Sequence, residues 1–144
     1  MRKLITVLLF MLVVSMHTAL AQRASTYHQT FPVQESTTSA IINLSYPYVV
    51  EKWIGNNIMV ETNIRMKNIS RQTMDFFISQ GRYEVIQKDY TGIVNLEMKP
   101  MVRKPITTRF GECEEDILLK VYVPDRLTVS ATGKKVLALS LIHI

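Results

Sequence analysis

The chain has 144 residues, 47% of them hydrophobic and 20% charged, with 17 Lys and Arg against 12 Asp and Glu (net +5) and one cysteine. That length holds one ordinary domain or part of one, and the ordinary apolar content excludes global disorder. A single cysteine excludes an internal disulfide framework and a zinc site built on paired cysteines.

The first residues are an address rather than a fold. Met1-Arg2-Lys3 is a basic start, Leu4 to Val14 (LITVLLFMLVV) is a short apolar run, and Ala19-Leu20-Ala21 is a small-x-small cleavage site. Basic, apolar and small segments in that order make a secretory signal peptide over 1–21. The apolar run falls short of the ~20 residues a spanning helix needs, so no stable membrane span is expected after cleavage. Cleavage after Ala21 makes Gln22 the first mature residue, and no nearby Cys offers a lipoprotein anchor. Loss of Arg2 and Lys3 leaves 15 basic against 12 acidic residues, a net +3. These charges are scattered, without the clustered basic and aromatic face of a nucleic-acid module, so no nucleic acid is expected as a partner.

Residues 22–30 (QRASTYHQT) are polar and read as a loose leader. From Phe31 onward the pattern is strand. Ile42 and Leu44 alternate in Ser39 to Ser45, Tyr46-Pro47-Tyr48 interrupts, and Val49 to Trp53 resumes. Proline inside such a run points to an edge or a bulge. Gly55-Asn56-Asn57 is turn chemistry. Ile58 to Lys67 alternates without a break and places Ile58, Val60, Thr62, Ile64 and Met66 on a core face, with Met59, Glu61, Asn63, Arg65 and Lys67 on a wet one.

The period changes at Ser70 to Gln80, where Met74, Phe77 and Ile78 recur at helical spacing. Ser70 is the predicted N-cap and Gly81 the residue after the C-cap, giving one short amphipathic helix on the sheet. Tyr83 to Lys88 and Gly92 to Lys99 form a hairpin about Asp89 to Gly92. Pro100 to Cys113 is irregular. Glu114-Glu115-Asp116 is read as a solvated turn before the strand Ile117 to Val123. Pro124 to Arg126 turns the chain into a strand at Leu127 to Val129, and Ala131-Thr132-Gly133 is a second turn. Strands at roughly ten-residue spacing make a mainly β fold of antiparallel strands and hairpins.

Val136 to Ile144 (VLALSLIHI) is apolar and ends without a cap, an unusual finish for an edge strand. Its last six residues resemble a translated sequencing adapter. The expectation is a native chain that continues beyond about Leu137, with 138–144 non-native and 31–137 the N-terminal part of a longer β-rich domain.

The search for chemistry is mostly negative. His28 and His143 sit in the leader and the tail, where neither is held for acid–base work. Acidic neighbours of Cys113 raise a thiol pKa instead of activating it. Glu112, Glu114, Glu115 and Asp116 are the one cluster that could supply calcium oxygens, and they lack the Asx-rich loop with glycine that such a site uses. Glu51, Glu61, Glu84 and Glu97 fall on strands, where two carboxylates across a cleft would serve glycoside hydrolysis. The five glycines are isolated turn residues, so no phosphate loop exists. No catalytic residue, metal or cofactor is expected. Asn43-Leu44-Ser45 and Asn68-Ile69-Ser70 match the glycosylation pattern, which has meaning only in a glycosylating host. Tyr46, Tyr48 and Trp53 are the candidate ligand-binding residues, as aromatics able to line a carbohydrate platform.

Two segments carry a family resemblance. Ser45 to Trp53 (SYPYVVEKW), the turn Gly55-Asn56-Asn57 and Ile58 to Glu61 (IMVE) resemble the opening of the bacterial adhesin domain described as auto-transporter-adhesin-head-like. Lys52 stands where that family usually has Gly before Trp, and Tyr46-Pro47 where it has small residues. Val121 to Val129 (VYVPDRLTV) resembles the family's segment leading into repetitive coils. The resemblance, over about Phe31 to Val129, implies an exported mainly β protein leading into a β-solenoid of stacked strands. It also implies a non-enzymatic cell-envelope role with an envelope or surface ligand, protein or glycan, and no catalytic residues. The alternatives are a carbohydrate-binding module and a glycan-active hydrolase.

Overall fold

A computed structural model describes residues 22–136; the expected signal segment (1–21) and non-native end (138–144) lie outside the described residues. In chain order the elements are β1 (Arg23–Phe31), β2 (Ser39–Trp53), β3 (Ile58–Lys67), α1 (Arg71–Ser79), β4 (Val85–Tyr90) and β5 (Ile93–Met98). They continue with β6 (Thr107–Thr108), β7 (Gly111–Glu112), β8 (Glu114–Pro124) and β9 (Thr128–Lys135). The main sheet runs β1-β3-β8-β2-β5-β4, with β9 also paired to β2, and curls into a nearly closed, barrel-like form. The β6–β7 ribbon is a separate two-stranded piece. Among the described residues, no helix is long and apolar enough to cross a membrane.

The alternation in β3 is the simplest part of the core. Ile58, Val60, Thr62, Ile64 and Met66 are all buried, opposite Ile117, Leu119 and Val121 of the antiparallel β8. On its other side β3 pairs with β1 from Arg23↔Met66 to Phe31↔Ile58. The expected loose leader at 22–30 is therefore a strand. Its apolar content is low because the outward positions Ala24, Thr26, His28 and Thr30 are exposed, while Tyr27 and Phe31 pack on the core. Backbone pairing to a strong neighbour supplies what side-chain hydrophobicity does not.

Strand β2 decides the shape. A straight strand of 15 residues would span roughly 45–50 Å at ~3.3 Å per residue. Yet Trp53 lies opposite Pro124 and Ser39 opposite Thr128, and the turn between them is closed by Leu127 N–H donating to Pro124 O at 3.1 Å. Strand spacing and chain reach then hold the two ends of β2 within about 20 Å, so the strand folds over. The fold-over is a bulge: the register with β9 shifts between Leu44 and Tyr48, across Tyr46-Pro47. Proline lacks the N–H that a regular ladder would need there.

The buried Tyr48 hydroxyl reaches back across the bend to the carbonyls of Ile42, at 3.0 Å, and Thr132. At the ends of β2, Lys52 Nζ donates to Leu127 O, and Arg126 donates to the carbonyls of Gln34, at 3.0 Å, and Thr37. Gly133 faces the bend with φ +72°, and a Cβ there would lie 2.8 Å from Leu44 O. It sits inside β9, so the expected turn at 131–133 is a kinked strand residue.

The two edges of the curled sheet meet through side chains. The Gln29 amide on β1 donates to Val85 O at 2.9 Å and accepts from Val85 N–H at 3.0 Å, and Gln87 donates to Pro32 O at 2.9 Å. An amide side chain reproduces one rung of a ladder, which occupies edge groups that would otherwise invite a foreign strand.

The expectations for the helix and the hairpin hold, whereas the expected antiparallel sheet is mixed: β2 runs parallel to β5, β8 and β9, since chain that crosses over between them returns those strands in its own direction. Ser70 caps α1 by accepting from Thr73 N–H, Met74 is buried, and Gly81 follows at φ +81°. Strands β4 and β5 pair around Thr91-Gly92, with Gly92 at φ +74°.

Candidate functional site

The outer face of β1, β3 and β8 is a grid set by register. Its rows are His28–Glu61–Lys120, Thr26–Asn63–Leu118 and Ala24–Arg65–Asp116. Small residues on β1 and the bulge proline of β2 leave this face concave. A groove of about 500 Å³ runs along it, with Thr26, Asn63, Leu118 and Pro47 in its middle and Glu61, Lys120, Arg65 and Asp116 at its ends. A smaller hollow of about 160 Å³ adjoins it at His28, Met59 and Tyr122.

One end of the groove is organised by hydrogen bonds. Asn63 Nδ2 donates to Glu61 Oε1 at 2.9 Å, Thr26 Oγ1 donates to Asn63 Oδ1 at 3.3 Å, and His28 Nε2 lies 3.6 Å from Glu61 Oε2. The Glu61 carboxylate is thus oriented before any ligand arrives. Opposite charges face each other across β3 and β8 at Glu61/Lys120 and Arg65/Asp116. Among the described residues neither pair closes to an ion pair, whereas Lys67 and Glu114 in the next row do, at 3.6 Å.

The inward face of β8 carries the opposite arrangement. Glu115, expected in a solvated turn, lies in the strand with its side chain turned to the core. Arg82 donates to it through Nε at 2.7 Å and Nη2 at 2.8 Å, and the Tyr83 hydroxyl donates at 2.5 Å. Arg82 also donates to Lys104 O at 2.9 Å, and Arg103 donates to Arg82 O at 2.8 Å. The Arg82 side chain is 7% exposed. Burial alone would raise the Glu115 carboxyl; hydrogen bonds from Arg82 and Tyr83 with the Arg82 charge outweigh it and hold it below its ordinary range. Burial and then the bond to Glu115 push the Tyr83 hydroxyl far up. This cluster ties the segment after α1 to the root of β8, and it lines neither the groove nor the smaller hollow. The acidic run is therefore divided: Glu115 inward, Glu114 and Asp116 outward, Glu112 exposed on β7.

The three candidate aromatics do not form one exposed plane. Tyr48 is fully buried with its hydroxyl on backbone carbonyls. Tyr46 is half-buried against Tyr83, with ring centroids 5.7 Å apart. Trp53 lies against the Gly55 backbone and donates from Nε1 to Asn57 O at 3.0 Å, which folds it onto its own turn. The strand carboxylates are also dispersed. Glu84 pairs with Lys99 at 3.1 Å and Glu97 pairs with Lys88. Glu61 and Asp116 share the groove, but their backbone positions are about 14 Å apart, from four strand steps and one strand spacing. Burial, followed by the Glu115 charge, raises the Cys113 thiol, so the direction read from its acidic neighbours holds with a different leading cause.

Thr26, Asn63, Arg65 and Lys120 carry the groove, and the sequence did not single them out as site residues. The alternation of β3 already placed Glu61, Asn63 and Arg65 on one wet face. What it lacked was the register bringing β1 and β8 alongside. Comparison with protein-family models, curated proteins and solved structures finds no match for this chain.

Proposed function

We propose that the chain is an exported, non-enzymatic, adhesin-like binding domain of the cell envelope, with the β1–β3–β8 groove as its ligand surface. The observation that carries this reading is the preorganised, charge-lined groove of about 500 Å³ on an outer sheet face.

Three further points support it. Strand β1 begins at Arg23, two residues past the expected cleavage point, so removal of the signal segment 1–21 leaves the whole β1–β3 ladder. Of the strand carboxylates considered for hydrolysis, Glu84 and Glu97 are each tied to a lysine, Lys99 and Lys88. His28 is exposed on β1, and the Cys113 thiol is buried and shifted away from nucleophilic character. In the fuller form of this reading, carried by the family resemblance, β9 leads onward into the stacked coils of a β-solenoid.

The test has two arms. N-terminal sequencing of exported protein should begin at Gln22, and retention of Met1 to Ala21 would overturn the export claim. Labelled mature chain should bind envelope fractions saturably, and Thr26→Trp, which fills the groove from an exposed position, should abolish that binding. Unchanged binding by the tryptophan variant would remove the groove from the proposal.

A further inference from the structure

Between β5 and β8 the chain leaves the main sheet, and its only regular structure there is the ribbon of β6 and β7, two residues each. The tip of that ribbon is Arg109-Phe110, both exposed, and Gly111 beyond them takes φ +107°. Only Thr107↔Glu112 and Thr108↔Gly111 pair across it. A hairpin of two strands is marginal by itself, so this tip opens at far lower cost than the strands around it. The Arg109 guanidinium lies 4.8 Å from the Phe110 ring centroid and, among the described residues, pairs with no carboxylate.

An endopeptidase of the trypsin class binds one Lys or Arg side chain in an acidic pocket and takes the flanking chain as an extended strand. That demand separates Arg109 from the other basic residues of the described chain. Lys99 and Lys104 each precede a proline, whose ring blocks the productive fit. Arg103 donates to the carbonyls of Arg82 and Lys99, both at 2.8 Å, and Arg126 to those of Gln34, at 3.0 Å, and Thr37. Arg82 is buried, and Arg71 in α1 donates to Ala24 O at 3.0 Å. Every other Lys or Arg among the described residues lies in a strand of the main sheet. Arg109 is the one that is exposed, free of such bonds and set at a turn outside that sheet.

We propose that Arg109–Phe110 is the bond at which a trypsin-class endopeptidase nicks the folded chain, and that the two pieces stay together. Water adds across the peptide bond, leaving a carboxylate on Arg109 and an ammonium group on Phe110. The end at Arg109 is held by Thr108 Oγ1, which donates to Asn68 O at 2.8 Å. The end at Phe110 is held by the Asn68 amide donating to Glu112 O at 3.3 Å, and by Cys113 N–H donating to Ile106 O at 2.8 Å. Beyond these contacts β8 is paired on both sides, to β3 and β2, and β9 is paired to β2. The groove takes β1 and β3 from one piece and β8 from the other, so the nick makes it a surface shared by two chains. The cut itself does not depend on what the groove binds.

Brief digestion of the native mature chain with trypsin tests it. The first new N-terminus should read Phe110-Gly111-Glu112, and the two pieces should co-elute on gel filtration in buffer and separate in concentrated urea. Arg109→Gln should lengthen the half-life of the intact chain at least tenfold, and Arg109→Lys should restore the cut at the same bond. A first cut at any other bond, or an Arg109→Gln half-life like the parent's, overturns the site. Pieces that part in buffer without urea overturn the two-chain product.

Discussion

Glu115 and Asp116 are neighbours in the chain, and β8 turns them to opposite sides of the sheet. Glu115 points inward, takes two hydrogen bonds from a guanidinium that is 7% exposed, and receives a third from Tyr83. Asp116 points outward, sits opposite Arg65 and forms no ion pair with it. The same side-chain chemistry thus serves cohesion on one face and availability on the other. In a strand the face is decided by parity alone, so one residue of register separates a structural carboxylate from one a ligand can use.

The sharpest way to break this comparison is Arg82→Ala. It leaves Glu115 as a largely buried charge without its cation, held by Tyr83 alone, and the expected loss is about 3 kcal/mol by urea denaturation. A loss no larger than that of a surface pair would show that the inner cluster does not hold the fold. Tyr83→Phe removes one donor to a charged acceptor and should cost about 1.5–3 kcal/mol in the same measurement.

Acid titration sharpens the point. The folded Glu115 binds its proton more weakly than an unfolded Glu, whose pKa is ~4.3, so its contribution is full above that value and is lost as pH falls through the lowered folded one. Glu115→Gln should therefore be less stable than the parent at neutral pH, and the gap should narrow below about pH 4.

On the outer face the effects should be small. Lys67→Ala removes an exposed ion pair worth about 0.2–1 kcal/mol, and added salt should erase the difference. Asp116→Asn should stay within about 0.5 kcal/mol of the parent in stability.

Much of the fold was legible because its signals are local. The helix Arg71–Ser79 is announced by Ser70, by Met74, Phe77 and Ile78 at helical spacing, and by Gly81. The ten residues of β3 alternate without a break, and Thr91-Gly92 closes the β4–β5 hairpin. The departures share a cause as well. β1 is polar because an edge strand with one exposed face needs few apolar residues. Glu114 to Asp116 read as a turn because three acids in a row look solvated, yet Arg82, distant in sequence, pairs with the middle one. Gly133 is a turn signal used inside a strand, where only a residue without Cβ fits against Leu44 O.

For the site, the sequence by itself determined the supply: which strands exist, which face of β3 is wet, and that Glu61, Asn63 and Arg65 lie on it. Only the tertiary structure decided the groove. Its rows depend on pairing β3 with both β1 and β8, contacts between segments far apart in the chain. Its concavity depends on β2 folding over at Tyr46-Pro47 and returning Pro47 to the same surface. Periodicity tells each strand which side is wet, but carries no term for the neighbour that will lie alongside it.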